Sequence, residues 1–315
     1  MGGGTDFPEY FSDRGGAVLG TAIDKYIYHT ISKFPSWLFA HKIRFSYRIV
    51  EHVKSIEKIQ HVPFREILKS HSITENIEVN LASDLPSFTG LGSSSAFTVG
   101  LIKGLRAFKG QLIDSETLAN DAVNLERNIL KECVGFQDQI FASYGGFNLI
   151  KFSGSDQFHV ERLNINETMM NQLSKNLLIF FTGRTRRAVE VEKTKIQRLK
   201  VNRVALDQMH DSVYRAQKIL VTNKDLDQLG YLLDESWRFK KSLSDQVSNT
   251  EIDAIYENGI RNGALGGKLL GAGGGGFFLF YVPLVNQEKF RHAFRDMHEV
   301  SVRFNAQGSS VIHSS

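Results

Sequence analysis

The string Gly90-Leu91-Gly92-Ser93-Ser94-Ser95-Ala96 puts two glycines and three serines into seven residues. Glycine lets a backbone come close to a phosphate. Phe97, Leu101, Leu105 and Phe108 follow at helical spacing, so the string opens a predicted helix. The first N–H groups of a helix have no internal partner and carry the positive end of its dipole. Serine hydroxyls add donors, and one of them can ligate Mg2+ as a P-loop Ser/Thr does. The chemistry these residues suit is phosphate binding. A tight turn capped by serine is the plainer reading, but it needs a shorter string.

Phosphoryl transfer also needs carboxylates, for Mg2+ and for orienting the nucleophile. Glu126 lies in Leu125-Glu126-Arg127 within a predicted helix, where a solvated charge is the ordinary role. Asp138 lies in Gly135-Phe136-Gln137-Asp138-Gln139, a polar island that also suits a turn or cap. Asp6 follows Gly2-Gly3-Gly4-Thr5. Arg184, Arg186 and Arg187 follow an apolar run, and Lys240 and Lys241 form a second basic pair. Cations at a strand end suit a phosphate, although each alone also fits a solvated helix start.

Two other nucleotide-like strings fail their templates. Gly267-Lys268-Leu269 lacks the Ser or Thr that a Walker A loop places after its lysine, and Asn262 stands where its first glycine belongs. Gly271-x-Gly273-x-x-Gly276 has the dinucleotide spacing, but that fingerprint must open a helix. Here Phe277-Phe278-Leu279-Phe280-Tyr281 follows and reads as a strand. No protein-kinase catalytic-loop or DFG motif is present. The ten histidines show no metal-ligand spacing.

Strands are expected over 17–31, 43–50, 77–81, 147–152, 177–181, 277–282 and 299–304. Helices are expected after Ala96, from Asp114 or Ser115, and over 187–221, 225–243, 250–263 and 286–298. Leu118, Ala122, Leu125 and Ile129 give the second helix its apolar face. Helices and strands interleave in both halves, which makes the class α+β or α/β. The polar stretch Ser153 to Asp156 is the expected boundary between domains 1–153 and 154–315.

The chain has 315 residues, 42% of them hydrophobic and 23% charged, with a formal charge of +4. That is an ordinary globular balance, sufficient for about two domains. Cys133 is the sole cysteine, so no disulfide can form within the chain, which fits a reducing cytoplasm. No apolar run approaches the ~20 residues of a membrane helix. No basic stripe interleaved with aromatics suggests nucleic acid. Small anionic ligands, and no membrane or nucleic-acid partner, are therefore expected.

Pro86-x3-Gly90-Leu91-Gly92-Ser93-Ser94-Ser95-Ala96 resembles the central phosphate-binding motif of the GHMP kinases. Lys268-Leu269-Leu270-Gly271-Ala272-Gly273-Gly274-Gly275-Gly276-Phe277 resembles their C-terminal glycine motif, and Gly3-Gly4-Thr5-Asp6 the sugar-kinase form of their N-terminal motif. Three motifs in order span most of the chain. Gly2–Asp6 with Tyr10, Ile23–Tyr26, Gly135–Gln139, Thr182-Gly183-x2-Arg186, Trp237-x2-Lys240-x2-Leu243 and Val247-Ser248-Asn249-x2-Ile252-Asp253 are similar to bacterial D-glycero-D-manno-heptose 7-phosphate kinases.

That resemblance implies an α+β fold of two domains with the active site in the cleft between them. It implies transfer of the ATP γ-phosphoryl group to the anomeric hydroxyl of the heptose phosphate, for surface polysaccharide synthesis. ATP and Mg2+ are the implied cofactors, and a homo-oligomer is compatible. Pro86 and Gly90 to Ser95 would wrap the ATP phosphates, and Ser94 and Glu126 would hold Mg2+. Asp138 would orient or deprotonate the attacking hydroxyl. Gly4, Thr5 and Asp6 would meet the sugar, Gly273 and Gly274 would border the same site, and Arg186 and Lys240 would meet its 7-phosphate. Family members usually place a strand carrying Pro-x-Arg ahead of the glycines, and in this sequence Met1 alone precedes Gly2. Another sugar 1-kinase of the fucose or galactose type, or a silent binding protein of the same fold, are the alternatives.

Overall fold

The computed structural model describes residues 1–87, 89–185, 201–222 and 225–314. Two compact units share these residues. One consists of Met1–Ile23, Ser87–Leu91 and Gly146–Ala306, and the other of Asp24–Pro86, Gly92–Gly145 and Gln307–Ser315. The expected boundary at 153/154 falls in the turn of a hairpin within the first unit, between β6 (Phe147–Ser153) and β7 (Gln157–Arg162).

In the first unit, β1 (Gly16–Thr21) pairs antiparallel with β6, which pairs with β7. A second antiparallel sheet runs β8 (Leu177–Phe181), β10 (Phe277–Tyr281), β9 (Gly266–Leu269). The helices α1 (Pro8–Arg14), α6 (Glu167–Asn176), α7 (Arg203–Thr222), α8 (Asp227–Ser242), α9 (Thr250–Arg261) and α10 (Gln287–Ala293) belong to this unit. One apolar core gathers Trp237, Val247, Tyr256, Phe278, Phe280 and Phe290. Another gathers Leu19, Leu149, Val213, Leu232 and Tyr281. The all-apolar string 277–281 thus reaches both cores, because its alternate residues face opposite sides of the sheet.

In the second unit, β2 (Ile27–Lys33), β5 (Ile77–Ser83), β3 (Ile43–Ser46) and β4 (Val50–Val53) form one sheet in that order. Its β3–β5 pair is parallel and the others are antiparallel. The helices are α2 (Val62–Ser70), α3 (Ser93–Phe108), α4 (Ser115–Asn124) and α5 (Gln137–Tyr144). Phe45, Phe64, Val79, Leu101, Leu105, Leu118 and Leu125 make its core. Asp114 caps α4 through the Thr117 N–H at 2.9 Å, as its residue type predicts. The segment after Ala306 also belongs here. Ser309 N donates to Ala142 O at 2.8 Å, and Lys103 Nζ, from α3, donates to Ser309 O at 2.6 Å.

Several expected elements are redrawn. The run 17–31 divides into β1 and β2, which pair in different sheets. The run 43–50 ends at Ser46, where Tyr47 N bonds Ile49 O and turns the chain into β4. The helix expected over 286–298 stops at Ala293. The strand expected over 299–304 does not form. Glu299 bridges Phe180 and Val300 N donates to Ile179 O at 2.8 Å, both at β8, while Phe304 bridges Ile23, which lies outside the strands, so the segment forms no continuous ladder. The first part of the helix expected over 187–221 lies outside the described residues. No helix among the described residues is long and apolar enough to cross a membrane.

Candidate active site

Gly92 is the N-cap of α3 and sits at φ 70°, ψ 21°, a left-handed conformation that glycine adopts without strain. No side chain among the described residues caps this helix. The first internal bond is Ala96 N to Gly92 O at 2.9 Å, which leaves the N–H groups of Ser93, Ser94 and Ser95 ahead of the helical ladder. α4, by contrast, is closed by Asp114. The expected phosphate-binding turn therefore has the backbone that an anion requires.

Asp138 lies in the first turn of α5. A Cβ built on Gly92 would stand 3.3 Å from Asp138 Cγ and 3.5 Å from its Oδ2. The aspartate therefore rests directly on the residue that opens α3. Its helix start also favours a negative charge.

Glu126 is 1% exposed. α4 gives way at Leu125 to one π-helical turn, Leu125–Ile129, closed by Leu130 N to Leu125 O at 2.8 Å. Such π-turns recur at functional sites. Glu126 Oε2 accepts from Ser95 Oγ at 3.0 Å and from Gln139 Nε2 at 2.5 Å. Its Oε1 is buried and forms no hydrogen bond among the described residues. Burial pushes the carboxyl up to about 7, against polar contacts with Thr98, Gln139 and Ser95 that draw it down.

An orphaned oxygen on a buried carboxylate suits a hard cation, which would supply the missing partner. Among the described residues no three His, Cys, Asp or Glu side chains converge on a metal position. Mg2+ is usually held by one or two carboxylates together with substrate phosphates. Ser94 is exposed in the same helical turn, available for the hydroxyl ligand expected of it. Ser95, expected at the ATP phosphates, gives its hydroxyl to Glu126 instead. Gln139, buried and unassigned by the sequence reading, is the second support of that carboxylate.

The N-terminal motif forms a turn held from inside. Thr5 Oγ1 donates to Ala17 O at 2.7 Å and accepts from Ala17 N at 3.2 Å. Asp6 is buried, and its Oδ1 accepts from Gly4 N at 2.9 Å. Tyr10 donates to Asp207 Oδ1 at 2.8 Å and so ties α1 to α7.

The C-terminal glycine motif packs backbone against backbone. A Cβ on Gly271 would lie 2.5 Å from Gly90 Cα, and one on Gly276 would lie 2.3 Å from Thr89 O. A Cβ on Gly273 would lie 2.7 Å from Val247 Cα, and Gly274 N donates to Val247 O at 3.0 Å. Gly276 N donates to Arg184 O at 2.9 Å. Gly273 and Gly274, expected to border the substrate, are engaged in this internal packing. The motif meets the start of the phosphate loop at Thr89 and Gly90.

Lys240, expected at the substrate's 7-phosphate, is 5% exposed and turned inward. Its Nζ donates to Leu269 O at 2.7 Å and to Gly271 O at 2.5 Å. Arg186 and Arg187 lie outside the described residues. Arg184 is exposed and paired with Glu251.

Residues 52–146 match the family of the GHMP kinases N terminal domain, and residues 216–299 match GHMP kinases C terminal. A D-glycero-alpha-D-manno-heptose 7-phosphate kinase of Campylobacter jejuni is 32% identical over 308 residues, covering 93% of this chain and 89% of the relative. A crystal structure of a D-glycero-D-manno-heptose 1-phosphate kinase from Bacteroides thetaiotaomicron superposes with TM-score 0.80 at 21% identity, covering 99% of this chain and 96% of that one. A putative sugar kinase structure from Campylobacter jejuni superposes with TM-score 0.69 at 29% identity, covering 93% of this chain and 88% of the other. With an open helix start under Asp138, a buried carboxylate beside it and both family domains in order, the chain belongs to the GHMP kinase family as an ATP-dependent sugar kinase.

Proposed function

We propose that the acceptor is D-glycero-D-manno-heptose 7-phosphate and that the product is its 1,7-bisphosphate, made in the cytoplasm for nucleotide-activated heptose and surface polysaccharide. The choice of acceptor is supported by the Campylobacter jejuni relative, which aligns over nearly the whole chain. The chemistry is carried by one observation: Asp138 lies against Gly92, where the α3 N-terminus opens.

On this reading Gly90 to Ser95 receive the ATP phosphates on backbone N–H groups. Asp138 aligns the anomeric hydroxyl and takes its proton as the new oxygen–phosphorus bond forms. The bond from the γ-phosphorus to the bridging oxygen breaks, and ADP leaves with that electron pair. Ser94 and Glu126 hold Mg2+, which when bound offsets charge on the β- and γ-phosphates. Ser95 and Gln139 fix Glu126 from behind, and Pro86 enters the loop. Gly4, Thr5 and Asp6 shape the sugar side, and Arg186 contacts the 7-phosphate.

The test is ADP release with Mg2+-ATP and the heptose 7-phosphate, beside mannose, galactose, fucose and mevalonate. Turnover restricted to the heptose phosphate is the expected result. Turnover on a neutral sugar alone would overturn the acceptor, and ATP binding without turnover on any of them would overturn the reaction.

A further inference from the structure

We propose that Lys240 is a positioning residue for the ATP phosphate loop and does not touch the sugar's phosphate, an inference that rests on the kinase reading above. Three observations lead there. First, the ammonium group is buried and aimed at two backbone carbonyls, Leu269 O and Gly271 O, which lie on either side of Leu270. A buried lysine must satisfy its donors within the fold, and bonds from a charged donor are among the stronger ones.

Second, Gly271, which supplies one of those carbonyls, and Leu270, which lies between the two, are the residues against which Gly90 is packed. A Cβ on Gly90 would stand 2.7 Å from Leu270 O and 3.3 Å from Gly271 Cα. The reciprocal Cβ on Gly271 would stand 2.5 Å from Gly90 Cα. Contact this close leaves no slack, so a shift of the Leu269–Gly271 backbone must displace Gly90. Gly90 is separated from Gly92, the N-cap of α3, by Leu91 alone.

Third, the lysine's own anchorage is rigid. It sits one turn beyond Trp237 and Ser236, both buried on α8, and Trp237 packs edge-on against Phe278 with ring centroids 5.5 Å apart. The chain of contacts therefore runs from a core helix, through one ammonium group, to the strand end at Leu269 and on to Gly90. The lysine needs no ligand to be in place, and the glycines give the coupling because nothing softer than backbone lies between.

The experiment measures ligand affinity directly, so that a smaller folded fraction does not register as a weaker site. The wild type and Lys240→Met are titrated with a fluorescent ATP analogue in Mg2+, and separately with the heptose 7-phosphate without nucleotide. The expected result is a nucleotide Kd raised about tenfold, the scale of losing a charged buried hydrogen bond, with the sugar-phosphate Kd within twofold of wild type. A sugar-phosphate loss equal to or larger than the nucleotide loss would overturn the inference and return Lys240 to the substrate. Unchanged affinity for both ligands would overturn it as well.

Gly271→Ala keeps the lysine and presses a methyl group toward Gly90, so it tests the same route should Lys240→Met not fold. The same nucleotide-side loss is expected, and wild-type nucleotide affinity in this variant would sink the coupling. A wild type that binds no ATP would overturn the kinase reading itself, an outcome distinct from either of these.

Discussion

Gln139 Nε2 stands 2.5 Å from Glu126 Oε2, and the residue before it in the chain is Asp138. One helical turn thus sends one side chain against Gly92 and the next to the buried carboxylate. Gln139→Leu keeps the size and removes the donor. Supporting partners of a metal ligand typically matter 10- to 100-fold in metal affinity. The Mg2+ concentration for half-maximal activity is expected to rise about tenfold or more, with the sugar-phosphate KM within about twofold. A Mg2+ titration of initial rates checks both.

Asp138→Asn retains the shape of the side chain over Gly92 and removes the proton acceptor. General-base contributions are about 10²- to 10⁴-fold. We expect kcat to fall by that amount and ATP affinity to stay within about threefold. A burst or single-turnover experiment with labelled ATP separates the chemical step from binding.

Gly92→Ala meets two obstacles. Its backbone is left-handed at φ 70°, and the new Cβ would press on Asp138 Cγ from 3.3 Å. The backbone conformation alone costs about 1–2 kcal/mol for a residue with a side chain. The expected outcome is a Tm lower by several degrees together with a kcat loss exceeding the loss in folded fraction. Circular dichroism melts run beside rate measurements test it.

His29 gives the second unit an acid limit. Its ring lies against α3, where a Cβ on Gly100 would stand 2.7 Å from its Cε1 and where Phe97 packs with centroids 5.4 Å apart. Nε2 is buried without a hydrogen bond among the described residues. Burial pulls the pKa from 6.5 down to about 4. Above pH 6.5 the ring is neutral in both folded and unfolded chains, so its contribution is constant there. As pH falls from 6.5 toward 4 the unfolded chain takes up a proton that the folded chain refuses, and stability drops by up to about 3 kcal/mol. Urea unfolding of the wild type across this range should show the loss, and His29→Phe should flatten that part of the profile.

Much of this was legible in residue order. The serine-glycine string, the helix after it, the Asp114 cap and the strand 277–281 depend on local periodicity and cap chemistry, which the sequence carries directly. The strand 177–181 was legible for the same reason. Roles that depend on what a side chain meets across the fold were not. Ser95 is one of three adjacent serines, and only the π-turn at Leu125 brings Glu126 to its hydroxyl. Lys240 reads as a surface cation until α8 lies along β9 and supplies two carbonyls. The glycines 271–276 read as a ligand loop because close approach to a phosphate and close approach to another backbone call for the same residue. The segment 299–304 has strand composition, yet strands need aligned partners, and it meets β8 only at Glu299 and Val300 before turning to Ile23, which lies in no strand.

The clasp formed at Ser309 has a consequence for synthesis. The helices α3 and α5 leave the ribosome before residue 145, but the segment that bonds Ala142 and receives Lys103 follows only after Gly146–Ala306 has been made. Domains emerge and begin to fold from the N-terminus. The helices that carry the phosphate turn and Asp138 therefore lack these bonds until Ser309 has been made. A message cut short just before Gln307 would yield every catalytic side chain named above and none of the closing bonds, so the order of translation withholds a fully fastened site from incomplete chains.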